Sequence, residues 1–260
     1  MILRRLSQSL KQQNWTAIWI EFVLLVAGVF LGIQVSNWNQ ERADARLGRV
    51  YAERLTADLE QDLASRRALV TYYRAVLDSV ERTSEMLADP QSDPKALVVN
   101  AYRASEINYM ASSHATWDEI VSSGDTALLP RDAATGAADY FAFDTSRNVM
   151  DILNQSAYRH RVRTVIPLNL QKDLRAGCSD TRDEFQQITG FMPNCTLTTD
   201  PAVIAETATA LRNDPSVQAE LRHQYSDVFS SHANISGDVV GIEQALTALK
   251  NARSPMGDSP

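Results

Sequence analysis

The stretch LEQDLASRRALVTYYRAVLDSVERTSEML, residues 59–87, decides the fold. Leu59, Leu63, Arg66, Val70, Tyr73, Leu77, Val80, Ser84 and Leu87 follow one another in alternating steps of four and three. That repeat places one apolar seam along a helix, as in a coiled coil. Arg66 and Ser84 are its only polar members. Upstream, Leu47, Tyr51, Leu55 and Leu59 step by four, so the stripe drifts around the helix there. Between Glu41 and Leu87 there is no proline, and Gly48 is the only glycine. The helix should end in ADPQSDPKA (88–96), where Asp93 can cap a new helix that takes Pro94 at its first position.

The rest of the chain reads the same way. The patterns predict helices over 94–110, 115–123 and 131–142, then a longer one over about 145–175. Val149, Ile152, Leu153, Val162, Val165, Ile166 and Leu170 give that one an apolar side, and Pro167 should kink or break it. Asp200-Pro201 and Asp214-Pro215 repeat the cap-then-proline signal, opening helices over 201–212 and 215–232. Ser236-Gly237-Asp238 reads as the start of a last helix through Leu249. No segment sustains the period-two alternation of a half-buried strand. The fold class expected is all-α, a helical bundle with no sheet.

Upstream of the seam lies TAIWIEFVLLVAGVFLGIQVSNW (16–38). About 20 apolar residues at roughly 1.5 Å each cross a hydrocarbon core about 30 Å thick, so this stretch is long enough to span a bilayer. It is too long for the apolar part of a signal peptide, and it ends in Gln34, Asn37, Trp38 and Asn39 rather than in small residues. It reads as an uncleaved anchor that runs on into the long helix. Arg4, Arg5 and Lys11 precede it with no acidic residue, whereas Arg42, Arg46 and Arg49 follow it among Glu41 and Asp44. The charge bias is weak, but a short basic N-terminus before a first helix normally stays in the cytoplasm. The organisation expected is therefore a cytoplasmic segment 1–14, a transmembrane helix 15–38, a periplasmic helical domain 39–251 and a disordered tail 252–260. Trp15, Trp19 and Trp38 mark the interfaces, and residues 2–13 can lie along the inner surface as an amphipathic helix or stay a frayed basic tail.

Residues 1–38 hold three basic side chains and one acidic, Glu21. The remainder carries 22 basic and 31 acidic residues, a net charge of −9. An acidic exterior without a basic stripe argues against nucleic acid as a partner. Cys178 and Cys195 are the only cysteines and lie 17 positions apart. In a loop-like stretch of an exported domain they read as a disulfide; the alternative is two separate reduced thiols. Closing that loop would contribute roughly 3 kcal/mol.

Chemistry-bearing patterns are scarce. His114, His160, His223 and His232 form no ligand spacing, and neither cysteine belongs to a metal motif. No metal site, cofactor site or catalytic set is expected. Arg159-His160-Arg161 reads as a solvated or acid-paired face. In TWDEIVSSGD (116–125), Asp118 and Glu119 point about 100° apart on a helix and cannot act as a paired acid and base. Thr116 with Glu119 fits a capping box, and Gly124 a left-handed helix end. The pattern that stands out is in the anchor. Ala17, Glu21, Leu25, Gly28, Gly32 and Val35 fall within about 40° either side of Glu21 on a helix turning about 100° per residue. Gly28 and Gly32 make a GxxxG, which lets two membrane helices approach closely. Glu21 on the same face is costly in a membrane unless paired or near the headgroups. These six residues form the expected helix–helix interface, for a second copy of the chain or another membrane protein.

NWTAIWIEFVLLVAGVFLGIQVSNWNQER (14–42) resembles the N-termini of a family of uncharacterised single-pass bacterial, mainly proteobacterial, membrane proteins. Asn14, Trp15, Glu21, Phe22, Gly28, Val29, Phe30, Gly32, Gln34, Asn37, Trp38 and Asn39 carry the likeness, and TWDEIVSSGDTALL (116–129) resembles a second recurring segment. The resemblance implies a single span in the bacterial inner membrane and brings no activity. The cysteine segment is not part of it. The function expected is protein–protein interaction, as an accessory or scaffold subunit of a membrane complex. The alternative is a sensor-like, ligand-binding ectodomain that signals through a partner. An enzyme is the remote third.

Overall fold

The computed structural model describes residues 15–253, with side chains for residues 19–252. The segment 1–14, the Trp15 and Ala17 side chains and residues 254–260 of the expected tail lie outside the described residues. The chain is helical nearly throughout. Helix α1 is Trp15–Ala88, so the apolar stretch and the amphipathic stretch form one 74-residue helix. Then come α2 (Pro94–Arg103), α3 (Ala115–Ser123), a 3₁₀ turn (Asp125–Leu128), α4 (Arg131–Phe141), α5 (Thr145–Asn154), α6 (Ala157–Val165) and α7 (Leu168–Gly177). Two short strands follow, β1 (Asp180–Arg182) and β2 (Ile188–Phe191), and then α8 (Pro201–Asn213) and α9 (Pro215–Arg253). The chain divides into two compact units, residues up to Val50 and residues from Tyr51 onward.

In the second unit the frame is an antiparallel pair made by α9 and the part of α1 beyond Tyr51. Lys250 pairs with Glu60 at 3.0 Å, Arg67 with Glu243 at 2.6 Å, and Arg66 faces Asp238 at 3.4 Å, so one helix descends as the other rises. Helix α9 carries its own seam: Val217, Leu221, Gln224, Val228, Ser231, Ile235, Asp238, Ile242, Ala245 and Leu249 alternate steps of four and three. All are buried except Asp238, whose side chain is 15% exposed. The apolar members fall into three clusters along the pair. Near Tyr51, Leu55 and Leu59 meet Ile242 and Leu249 under α3 and α4. In the middle, Leu69, Tyr73 and Val76 meet Val228 and Ile235 with α5. At the far end, Val80 and Leu87 join Val217 and Leu221 under α2, α6, α7 and α8. Helix α4 comes very close to α9: a Cβ at Gly136 would lie 3.0 Å from that of Ala245.

Several expectations are corrected. The last helix does not begin at Ser236; one helix runs through 215–253. The Ser236 hydroxyl donates to the His232 carbonyl one turn back, and Asp238 accepts from Thr145 at 2.9 Å instead of capping. The predicted 145–175 helix breaks at Pro167 as expected, but also at Ser156, whose hydroxyl caps α6. Helix α2 stops at Arg103, leaving residues 104–114 as an extended strap rather than more helix. The Thr116/Glu119 capping box does not form: His114 is the N-cap, Thr116 is buried, and Glu119 pairs with Arg54 at 2.6 Å. Gly124 does end α3 with φ at 79°. Asp93 and Asp200 cap α2 and α8 ahead of their prolines. The hairpin β1–β2 inside the cysteine segment, where the pattern predicts no strand, has register Asp180 to Phe191. On α1, burial reaches well beyond one seam, to Asp62, Ser65, Leu69, Tyr72, Val76 and Thr83, while Ser84 is exposed. A helix covered on several sides needs more than a two-strand coiled-coil seam.

A buried polar layer separates the first two clusters. Arg66, 1% exposed, donates to the Met110 carbonyl at 2.8 Å and to the Ser112 hydroxyl. Asp62, one turn before it, accepts the Ser113 amide on both oxygens at 3.0 and 3.1 Å and the Tyr140 hydroxyl at 3.0 Å. Tyr73 donates to the Asn108 carbonyl at 2.7 Å; burial pushes its phenol up to about 12, so it remains a donor at neutral pH. Residues 104–114 have no ladder of their own. Side chains of α1 satisfy backbone groups at Asn108, Met110 and Ser113, while Ser146 accepts the Met110 amide and Gln224 donates to the Ala104 carbonyl.

Candidate functional site

Two features stand outside what the packing explains. The first is the apolar part of α1. It is the one helix among the described residues long and apolar enough to cross a membrane, with a mean hydropathy of 2.0 over its best 18-residue window. Its side chains lie bare: Leu25 is 66% and Phe30 59% exposed. Trp19 and Trp38 sit near its ends, separated by roughly 28 Å at 1.5 Å per residue. The Arg42 guanidinium lies over the Trp38 ring at 3.7 Å. The helix puts Glu21, Leu25, Gly28, Gly32 and Val35 on one face, as the spacing required. A Cβ at Gly28 or Gly32 would meet nothing within 4 Å, so neither glycine is needed for packing within the chain.

The second is a cleft of about 250 Å³ beside the cysteine pair. Helix α2 contributes Val99, Tyr102 and Arg103, on one face by their spacing; the strap adds Glu106. Helix α7 brings Leu174 and Arg175, and the hairpin supplies Asp180, Arg182 and Phe191. Arg103 is half-buried. It donates to the Met192 carbonyl at 2.5 Å and lies over the Phe191 ring at 5.1 Å, yet its Nε is buried without a partner. Burial, with the charge of Arg82, holds its guanidinium below the ordinary arginine range. Arg175 donates to the Tyr102 hydroxyl at 3.0 Å, which helps hold the guanidinium above its usual range. Behind Tyr102, Arg163 covers the ring at 3.6 Å and pairs with Glu106 at 2.8 Å. Burial and the Glu106 charge push the Asp180 carboxyl up. Such an arrangement can hold an anion.

The sulfurs of Cys178 and Cys195 lie at bonding distance, 2.20 Å. They join the end of α7 to the segment after β2 and so fix the floor of the cleft. Cys195→Ser should cost about 3 kcal/mol, which in a domain of this size lowers the melting temperature by roughly 6–12 °C. Calorimetry without reductant checks this; an unchanged melting temperature would contradict it.

The glycine spacing on α1 and the cysteine pair can be read from the sequence; the cleft cannot. Arg103, Arg175 and Arg182 are far apart in sequence, and only folding gathers them. In Arg159-His160-Arg161 the acid-paired reading holds for Arg161, which meets Asp214, while Arg159 turns to the Ser105 carbonyl. Among the described residues no three His, Cys, Asp or Glu side chains are grouped to hold a metal ion. Comparison with known protein families, with curated proteins and with solved structures returns no match.

Proposed function

We propose that this chain is a single-span protein of the bacterial inner membrane that works by binding other proteins, as an accessory or scaffold subunit of a membrane complex. Its N-terminus is cytoplasmic and residues 39–251 are periplasmic. In this reading it is not an enzyme and needs no cofactor. The observation that carries the proposal is the bare face of α1, with open space at Gly28 and Gly32. In lipid, apolar side chains gain nothing by leaving the bilayer, so helices associate through close packing and interhelical hydrogen bonds. Small residues one turn apart permit the first, and Glu21 offers the second. The partner is a second copy or another membrane protein.

Leucine at either glycine would hold a partner backbone off without touching anything in the chain. Gly28→Leu and Gly32→Leu should therefore abolish the complex seen on native gels and in co-purification from mild detergent, while membrane insertion and the ectodomain melting temperature stay unchanged. Phe30→Leu, on the opposite side of the helix, is the control. Retention of the wild-type complex by both glycine variants would remove the basis of the proposal. The compartment has its own readout. Cys178 and Cys195 should resist alkylation without reductant in protein taken from its native envelope, and free thiols there would contradict periplasmic placement.

The second reading, a sensor-like ectodomain, is favoured by one observation: the arginine-lined cleft, a concave polar site of ligand size.

A further inference from the structure

The cleft carries charge opposite in sign to its surroundings. Residues 39–260 have a net charge of −9, yet six of their 22 basic side chains gather here. Arg103, Arg175 and Arg182 line the cleft, and Arg82, Arg159 and Arg163 are close enough to act on them or on one another. Glu106 is taken by Arg163. Among the described residues no ion pair engages Arg103, Arg175 or Arg182. Burial, with the charge of Arg163, holds the Arg159 guanidinium below its ordinary range, as burial and Arg82 do for Arg103. Crowding like charges costs free energy that an anion in the cleft would offset.

Size and charge narrow the ligand. About 250 Å³ is the space of roughly eight waters, below the usual range for drug-sized ligands. With Glu106 neutralised by Arg163, three arginines against Asp180 leave the lining two positive charges in excess, which suits a small mono- or dicarboxylate rather than a polyphosphate. Guanidinium forks match a planar carboxylate on two hydrogen bonds. Tyr102 and Phe191 give flat walls for a short carbon skeleton. We infer that the cleft binds a small organic carboxylate, held between half-buried Arg103 and the exposed Arg175 and Arg182. This inference does not depend on the α1 face.

The test is titration calorimetry on the full chain in detergent, with succinate and L-glutamate as probes and inorganic phosphate and putrescine as comparisons. Arg103 packs against the hairpin and its replacement risks misfolding, so Arg175→Gln and Arg182→Gln are the informative variants. Arg67→Gln, on the far-off Glu243 pair, is the control. Saturable binding of succinate or L-glutamate is expected, about tenfold or more weaker in each cleft variant and unchanged in the control, since each removes a charge-assisted contact. Binding of neither carboxylate, or binding undiminished in both cleft variants, would overturn the inference. So would binding of phosphate or putrescine alone.

Discussion

Replacing Arg66 with alanine should destabilise the domain by about 3–5 kcal/mol. Arg66 faces both Asp62 and Asp238, and it also holds the strap at Met110 and Ser112. Its loss leaves two largely buried carboxylates without a countercharge and a carbonyl without its donor. Burial already holds both carboxyls above the ordinary aspartate range. A carboxyl raised on folding adds stability that is present below its unfolded pKa and lost as pH rises through its folded pKa. Without Arg66 both values rise further. The deficit of Arg66→Ala should therefore be greatest at neutral pH and shrink on acidification toward about pH 4. Arg66→Met combined with Asp238→Asn should recover part of it, because it removes one stranded charge and keeps the volume. Urea unfolding followed by circular dichroism at several pH values reads all three. A cost below about 1 kcal/mol, the range of exposed pairs, would mean that the layer is wet and not a clamp.

Gly177→Ala should be nearly as damaging, by about 3 kcal/mol or more. A Cβ at Gly177 would lie 1.8 Å from the Thr196 carbonyl oxygen and 2.9 Å from its carbon. Both are backbone atoms, so the end of α7 and the segment after Cys195 must part. That parting also stretches the Thr196 amide bond to the Gly177 carbonyl, now 3.1 Å, and the bridge between Cys178 and Cys195 beside it. Gly237→Ala is the natural contrast. It lies within α9 with nothing within 4 Å of its Cβ, so alanine should stabilise by about 0.5–1 kcal/mol through helix propensity alone. Thermal melts of the two variants should move in opposite directions. Equal shifts would contradict the close approach at Gly177.

What was legible in the sequence were the features carried by local pattern. The seam of α1, the Asp-Pro helix starts and the apolar stretch each follow from neighbours a few residues apart. What was hidden depended on tertiary partners. The α9 seam was present at 217–249, but Ser236-Gly237-Asp238 has the chemistry of a helix start. Burying Ile235 and Ile242 on either side outweighs roughly 1 kcal/mol for a glycine inside a helix. Asp238 is on the seam because Arg66, 172 positions earlier, waits for it. The strap has no period of its own, since its hydrogen bonds come from distant side chains, among them Asp62, Arg66, Tyr73, Ser146 and Gln224. The hairpin is too short for alternation to register. The cleft arginines come from α2, α7 and β1, and no local spacing joins them.

The central claim is that α1 meets a partner through one face. A photo-activatable residue placed singly at each position from 22 to 35 except Gly28 and Gly32, in cells, tests it most directly. Adducts of defined mass should peak at 25 and 35, which flank the glycines on the same face, and vanish near 23, 26 and 30, the helix's other side. Adducts spread evenly around the helix, or absent at every position, would contradict the account.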